Sequence, residues 1–423
     1  MNTQRYSSLL SRSRLFGLVG GMLSLWAAAV LPAQAQDAEQ SQIERGEYLA
    51  RAGDCVACHI TEGGKPFAGG LAFELPFGTL YSPNITPDKE TGIGDWSDDD
   101  FVNAMQKGVG KDGKHYYPAF PYTSYTLMPR EDILAIKAYL FSLEPVHQPN
   151  RDNDIGFPFN QRWGMMFWNW MFNDNERFKP DPEQSAEWNR GAYLVEGLGH
   201  CGECHTPRNL FQARDSSKAL AGAEIQGWKA WNITSDDEHG IGAWPDEALA
   251  SYLSAGHAEG YGVAGGPMAE VVNHSLRFLT PEDINAMVVY LKSVEPQSEG
   301  IKRPPLKQLE ASVPQQTDHP LGRKLFADTC VSCHSWDGNG RQTPYAALKG
   351  LRTVHDPEAL NLIQILLDGD ALHTANGNYV MPSFGEAYSN EELAELSNFV
   401  LEHFGEVEGQ LDAKTVEERR QAP

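Results

Sequence analysis

Cys55-Val56-Ala57-Cys58-His59 occurs once near the start of the chain and returns twice, as Cys201-Gly202-Glu203-Cys204-His205 and Cys330-Val331-Ser332-Cys333-His334. These three stretches hold all six cysteines of the 423-residue chain, and a histidine closes each pair. Two thiols at this spacing share one helical turn. That spacing matches the two vinyl groups of a haem, and the next residue then lies beneath the iron. The pattern is that of covalent c-type haem attachment, with the imidazole as proximal ligand. A zinc site needs four ligands, and no further cysteine pairs exist to complete one. A thioredoxin-like redox pair needs a different fold and no histidine. An even cysteine count in an exported chain also suggests disulfides, but pairing with histidine at every copy overrides that reading. Three haem c groups are expected, on Cys55 and Cys58, on Cys201 and Cys204, and on Cys330 and Cys333, with His59, His205 and His334 on the irons.

Outward from each motif the chain repeats itself. A short helical pattern precedes it, with Gly46, Gly191 and Gly322 at one relative position. An amphipathic helix closes each unit, over about Arg130–Leu143, Pro281–Val294 and Asn390–His403, behind acidic capping residues. The small glycines predict close approach of the opening helix to Tyr139, Tyr290 and Phe399 of the closing one. A second repeat links only the first two units. Asn84-Ile85-Thr86 leads to Gly92-Ile93-Gly94-Asp95-Trp96, and Asn232-Ile233-Thr234 leads at identical spacing to Gly240-Ile241-Gly242-Ala243-Trp244. Such self-similarity implies duplication, with the shorter third unit a different branch.

The expected architecture is therefore mainly α, three consecutive class I cytochrome c domains with irregular loops around each haem. The boundaries read as 40–149, 188–298 and 321–405. An aromatic-rich linker (150–187) and a Pro-rich tether (299–320) join them, and a polar tail (406–423) follows. The first linker carries Trp163, Met165, Met166, Phe167, Trp168, Trp170, Met171 and Phe172. Linkers are commonly polar, so this one is expected to pack between domains or on a partner subunit. Residues 1–36 read as an export signal: Arg5, Arg12 and Arg14, an apolar stretch from Leu15 to Leu31, then Ala33-Gln34-Ala35. An uncleaved membrane anchor is the rival. The formal charge of -23 excludes the basic surface that nucleic acid requires and suits contact with basic surface on a partner.

Electron-transfer haems commonly take methionine sulfur as sixth ligand, which favours reduced iron. Met381, in Tyr379-Val380-Met381-Pro382, and Met268, in Gly265-Gly266-Pro267-Met268, precede the last helices of their units and suit that role. In unit one the corresponding place is Phe120, which cannot bind iron. Met128 is the favoured substitute, with His115, Met105 or an open site as alternatives. His147, His239, His257, His274, His355, His373 and His403 have no motif around them and read as surface or core residues.

Taken together, these features resemble the triple-haem cytochrome c subunit of bacterial membrane-bound dehydrogenases acting on alcohol, gluconate, sorbitol or fructose. The most specific stretches are Trp188-Asn189-Arg190-Gly191-Ala192-Tyr193-Leu194, Gly199 to Asn209 around the second motif, and Gly265-Gly266-Pro267-Met268-Ala269-Glu270. The resemblance implies a large flavin- or quinone-dependent partner subunit that oxidises the substrate in the periplasm. It implies onward transfer to ubiquinone or another respiratory acceptor at the outer face of the cytoplasmic membrane. It also implies His59, His205 and His334 as proximal ligands and Met268 and Met381 as distal ones. No Gly-rich nucleotide loop or hydrolytic constellation supplies a substrate site of the chain's own. Two rivals stand beside this reading: a free-standing haem enzyme with an open first haem, and a diffusible multihaem carrier.

Overall fold

The computed structural model describes residues 38–302, 313–314, 316–375 and 377–421. The export segment and most of the Pro-rich tether lie outside them. Three units follow one another, each opened and closed by a helix. Unit one runs from a helix over 38–52 to the closing helix Arg130–Ser142. Unit two opens with Ala186–Ala192 and closes with Pro281–Leu291. Unit three opens with Pro320–Leu325 and closes with Asn390–Val400. The closing helices begin where charge favours it. Glu131 and Asp132, Glu282 and Asp283, and Glu391 and Glu392 occupy their first turns, beside the positive ends of the helix dipoles.

Each opening helix meets its closing helix at the expected glycine. A Cβ on Gly46 would sit 1.8 Å from the carbonyl oxygen of Ala135 and 2.9 Å from Cβ of Tyr139. On Gly191 the corresponding distances are 1.9 Å to Ala286 O and 2.8 Å to Tyr290 Cβ. On Gly322 they are 2.0 Å to Glu395 O and 2.8 Å to Phe399 Cβ. Only hydrogen fits there, so all three crossings bring backbone against backbone.

Strands are few and short. In unit one Ala72–Leu75 pairs antiparallel with Gly78–Tyr81, and Asp154–Ile155 of the linker adds a third strand beside Gly78 and Thr79. Unit two has the hairpin Ala223–Ile225 with Trp228–Ala230, and unit three the hairpin Asp370–Thr374 with Gly377–Met381. The tail does not trail away: Ala413–Gln421 is a helix, with Val416 buried in the third unit's core and Arg420 donating to Gly385 O.

Units one and two share one large apolar core, which Leu372 of unit three also enters, whereas most apolar residues of unit three form a core of their own. The first two units also exchange equivalent side chains. Arg45 Nε donates to Asp132 Oδ1 (3.1 Å) within unit one, and Tyr193 of unit two donates to the same carboxylate (2.7 Å). Reciprocally, Arg190 Nε donates to Asp283 Oδ1 (2.8 Å) within unit two, and Tyr48 of unit one donates to Asp283 (2.5 Å). Unit three buries Leu372 in that shared core, packs Tyr345 against it and adds polar contacts. Lys229 reaches Asp356 (3.0 Å) and Glu358 (2.6 Å), and Asn361 and Lys229 exchange two hydrogen bonds. Asn273 grips the strand at Ala371 and His373.

Candidate haem-binding sites

The three Cys-x-x-Cys-His stretches form one helical turn each, covering Cys55–Cys58, Gly202–His205 and Val331–His334. In units two and three the opening helix widens into a π-helical segment just ahead of the motif, at Tyr193–Leu198 and Phe326–Cys330. Such widening commonly marks functional sites. In units one and two the residue before the first cysteine, Asp54 or His200, takes a left-handed backbone conformation. That turn swings the motif off the helix axis.

No disulfide joins any of the six cysteines. Burial pushes the first thiol of each pair, on Cys55, Cys201 and Cys330, up to about 12. Redox-active Cys-x-x-Cys pairs lie on the opposite side of the ordinary thiol value, because their environment stabilises the thiolate. Burial thus disfavours the thiolate at the first cysteine of each pair. Among the described residues no group of three or more His, Cys, Asp or Glu side chains is placed to hold a metal ion unaided.

The histidines share one arrangement. His59 Nδ1 lies 2.7 Å from Pro83 O, His205 Nδ1 2.6 Å from Trp231 O, and His334 Nδ1 2.7 Å from Ala346 O. A carbonyl only accepts, so each Nδ1 carries the proton and each Nε2 keeps its lone pair for a metal. Burial lowers the pKa of all three rings and so favours the neutral, ligating form. Two thiols on one turn and an adjacent imidazole with a free Nε2 fit covalent haem in every unit.

The carbonyls of Pro83 and Trp231 escaped the sequence reading, although a signal stood beside them. Each directly precedes one Asn-Ile-Thr repeat. Asn84 Oδ1 accepts from Thr86 N (2.9 Å) and Oγ1 (2.7 Å), while its Nδ2 donates to Val146 O (2.7 Å). Asn232 repeats the pattern with Thr234 at 2.9 and 2.7 Å, and its Nδ2 donates to Gln297 O (2.6 Å). The repeat thus ties the histidine's acceptor to the chain leaving the closing helix. Unit three lacks it and uses the loop at Pro344–Ala346 instead.

The methionines do not occupy a single position. Beyond the glycine that ends the preceding helix, Gly108, Gly256 or Gly369, the next residue pairs across a hairpin base with His115, Val263 or Met381. Met381 therefore stands in register with His115, not with Phe120 as the sequence suggested. Tyr116 N donates to Gly108 O and Ala264 N to Gly256 O, and four residues beyond each lie Phe120 and Met268. Phe120 thus replaces Met268. Met268 and Phe120 pack on the shared core, as Cys55 and Cys201 do, and Met381 packs on the core of unit three. Met128 is fully buried in the shared core, beside the helix that carries the buried Met105. Its carbonyl accepts from Gln106 Nε2 (2.9 Å). His115 lies farther out, in a cleft with Met166, Asn169 and Trp170.

The first two motifs abut. Tyr125 of unit one donates to Gly53 O (3.2 Å) and meets the His200 ring edge-on at 5.6 Å. Thr123 donates to Glu203 of the second motif (3.3 Å), and Cys58 and Cys204 lie within electrostatic reach of each other.

A helical chain carrying such turns is a c-type cytochrome. The cytochrome c family model matches residues 43–144 and 320–403. The chain is 40% identical to the gluconate 2-dehydrogenase cytochrome c subunit of Pantoea cypripedii, over 92% of this chain and 91% of that one. It is 37% identical to the fructose dehydrogenase cytochrome subunit of Gluconobacter japonicus, over 90% and 83%. It is also 40% identical to a nicotinate dehydrogenase component of Pseudomonas putida over 93% of its length, but spans only 33% of that protein. The chain belongs to the cytochrome c subunits of dehydrogenases, and its cytochrome c domains hold haem c covalently.

Proposed function

We propose that the chain is a triple-haem electron-transfer subunit, with one haem c in each unit. The family model covers units one and three. The reading of unit two is carried by His205, whose Nδ1 is bound to Trp231 O as His59 is bound to Pro83 O. When bound, each haem supplies a one-electron carrier. The chain's residues do the rest. The cysteine pairs tether the ring, and His59, His205 and His334 present Nε2 to the iron. Met268 and Met381 would supply sulfur to the irons of units two and three. For the first haem Met128 is the proposed sulfur, being fully buried in the core against which Cys55 packs.

Electrons would come from a partner dehydrogenase subunit of flavin or quinoprotein type and leave to ubiquinone or another respiratory acceptor. The work would take place in the periplasm, at the outer face of the cytoplasmic membrane, after removal of residues 1–36. Names of relatives support a dehydrogenase partner, since they are cytochrome subunits of gluconate 2-dehydrogenase and fructose dehydrogenase. Intact mass of the denatured chain, made in a host competent for haem attachment, should exceed the polypeptide mass by three haems. Replacing Cys201 and Cys204 by alanine should remove one. A wild-type excess of two haems overturns the count.

A further inference from the structure

Met268 stands on the first turn of the helix Pro267–His274, and Gly265 and Gly266 lead into it. Consecutive glycines leave a chain more freedom than other residues do, which ill suits a side chain that must be held in place. Unit two supplies one restraint of its own. Gly266 has φ 54°, and a Cβ there would lie 2.5 Å from the Trp228 ring. Unit three supplies others. Asp370 Oδ1 accepts from Gly266 N (3.2 Å) and from its own neighbour Ala371 N (3.0 Å), which fixes the direction of the carboxylate. A Cβ on Gly265 would lie 3.1 Å from Asp370 Oδ2 and 3.3 Å from Cδ1 of Ile365. The carboxylate therefore presses on both glycines.

The same strand, Asp370–Thr374, holds the rest of the helix. Asn273 Nδ2 donates to Ala371 O (2.8 Å), and His373 N donates to Asn273 Oδ1 (2.6 Å). Between these contacts Leu372 is buried in the shared core. A Cβ on Gly256, where the Met268 loop begins, would lie 2.7 Å from Leu372 Cδ1. The strand thus follows the Met268 helix from its start to its last turn. Across the hairpin Asp370 pairs with Met381. One two-stranded element of unit three carries Met381 and braces the loop of Met268.

We propose that Asp370 is a positioning residue for the second haem: it holds the Gly265–Gly266 turn so that the Met268 sulfur stays on the iron. Docking of unit three is then a condition of sound ligation in unit two. The proposal rests on Met268 as the distal ligand. Groups that stand behind a metal ligand commonly change its hold about 10–100-fold when removed. Charge alone acts in the other direction. A carboxylate near iron favours the ferric form, so its loss raises the potential, whereas a loosened thioether lowers it.

The test uses the full haem-loaded chain, with imidazole as competitor for the sixth position and spectroelectrochemical titration of the potentials. Met268→Leu first marks the second haem as the one whose potential falls. Asp370→Ala should let that haem bind imidazole about tenfold more tightly than wild type and should lower its potential. Asp370→Asn keeps an oxygen for Gly266 N and should bind imidazole as wild type does. In Met268→Leu/Asp370→Ala the second change should add nothing at that haem. Should Asp370→Ala not fold, Asn273→Ala frees the far end of the helix and should raise imidazole affinity at the same haem. Wild-type affinity in Asp370→Ala, or in Asn273→Ala where it stands in, overturns the positioning role and leaves the ligand in place. A rise in potential common to Asp370→Ala and Asp370→Asn overturns it too, reducing the residue to its charge. No response to Met268→Leu at any haem overturns the ligand assignment, and the positioning role with it.

Discussion

At the scale of single residues, the useful contrast lies between groups that touch the iron and groups that aim them. Met128→Leu nearly conserves volume, so the fold tolerates it. If its sulfur is the first haem's ligand, the variant lowers one potential and leaves two unchanged. The lost thioether is the ligand that favours ferrous iron. Met268→Leu and Met381→Leu should each lower a different one. Spectroelectrochemical titration of the three variants decides the matter. Potentials unmoved by Met128→Leu but shifted by His115→Ala would give the first haem two histidines instead. His115 standing in register with Met381 gives that outcome a structural route. The cysteines and histidines were legible in the sequence because covalent attachment demands a rigid local spacing. Pro83 O and Trp231 O were not, since a backbone carbonyl leaves no residue-type signature.

At the scale of elements, the helix crossings carry the energetics. Gly191→Ala places a methyl 1.9 Å from Ala286 O, and both atoms belong to helix backbones that cannot yield separately. The variant should lose about 3 kcal/mol or more by chemical denaturation. Gly164→Ala meets nothing within 4 Å. It should instead gain about 0.5 kcal/mol from helix propensity. The three glycines and their aromatic partners were readable from one relative position in three repeats. The linker helix was expected to pack between domains or on a partner subunit. Trp168 and Phe172 do pack on units one and two, while its exposed stripe has no cover within the described residues. Sequence periodicity shows that a helix has an apolar face, not which way that face turns.

The whole molecule adds the contacts between units. Asp370 of unit three accepts from Gly266 N of unit two at 3.2 Å. Burial, with a smaller contribution from Glu270, raises its pKa from 3.8 to about 6, although the amides of Gly266 and Ala371 pull the other way. The folded chain therefore holds this proton more tightly than the unfolded chain does. Stability from the protonated form is complete below the ordinary value and drains away as pH rises to about 6. Asp370→Asn should match wild type near pH ~4 and exceed it near pH ~7 by about 2 kcal/mol, after allowance for solvent screening. Denaturation midpoints at the two pH values check this; a constant offset would mean that the carboxylate does not titrate on folding.

The sequence alone determined the haem chemistry, the threefold repetition and the helix-on-helix packing of each unit. All three depend on residues close together in the chain or at equal spacing in its repeats. Tertiary structure decided the rest: that units one and two share a core into which unit three sends only Leu372 as a buried residue, and that Tyr48 and Tyr193 cross to each other's aspartates. It also decided that Met381 and Met268 stand at different registers, and that the aromatic linker faces outward. Those outcomes depend on which surfaces meet across hundreds of residues, and local spacing carries no information about that meeting.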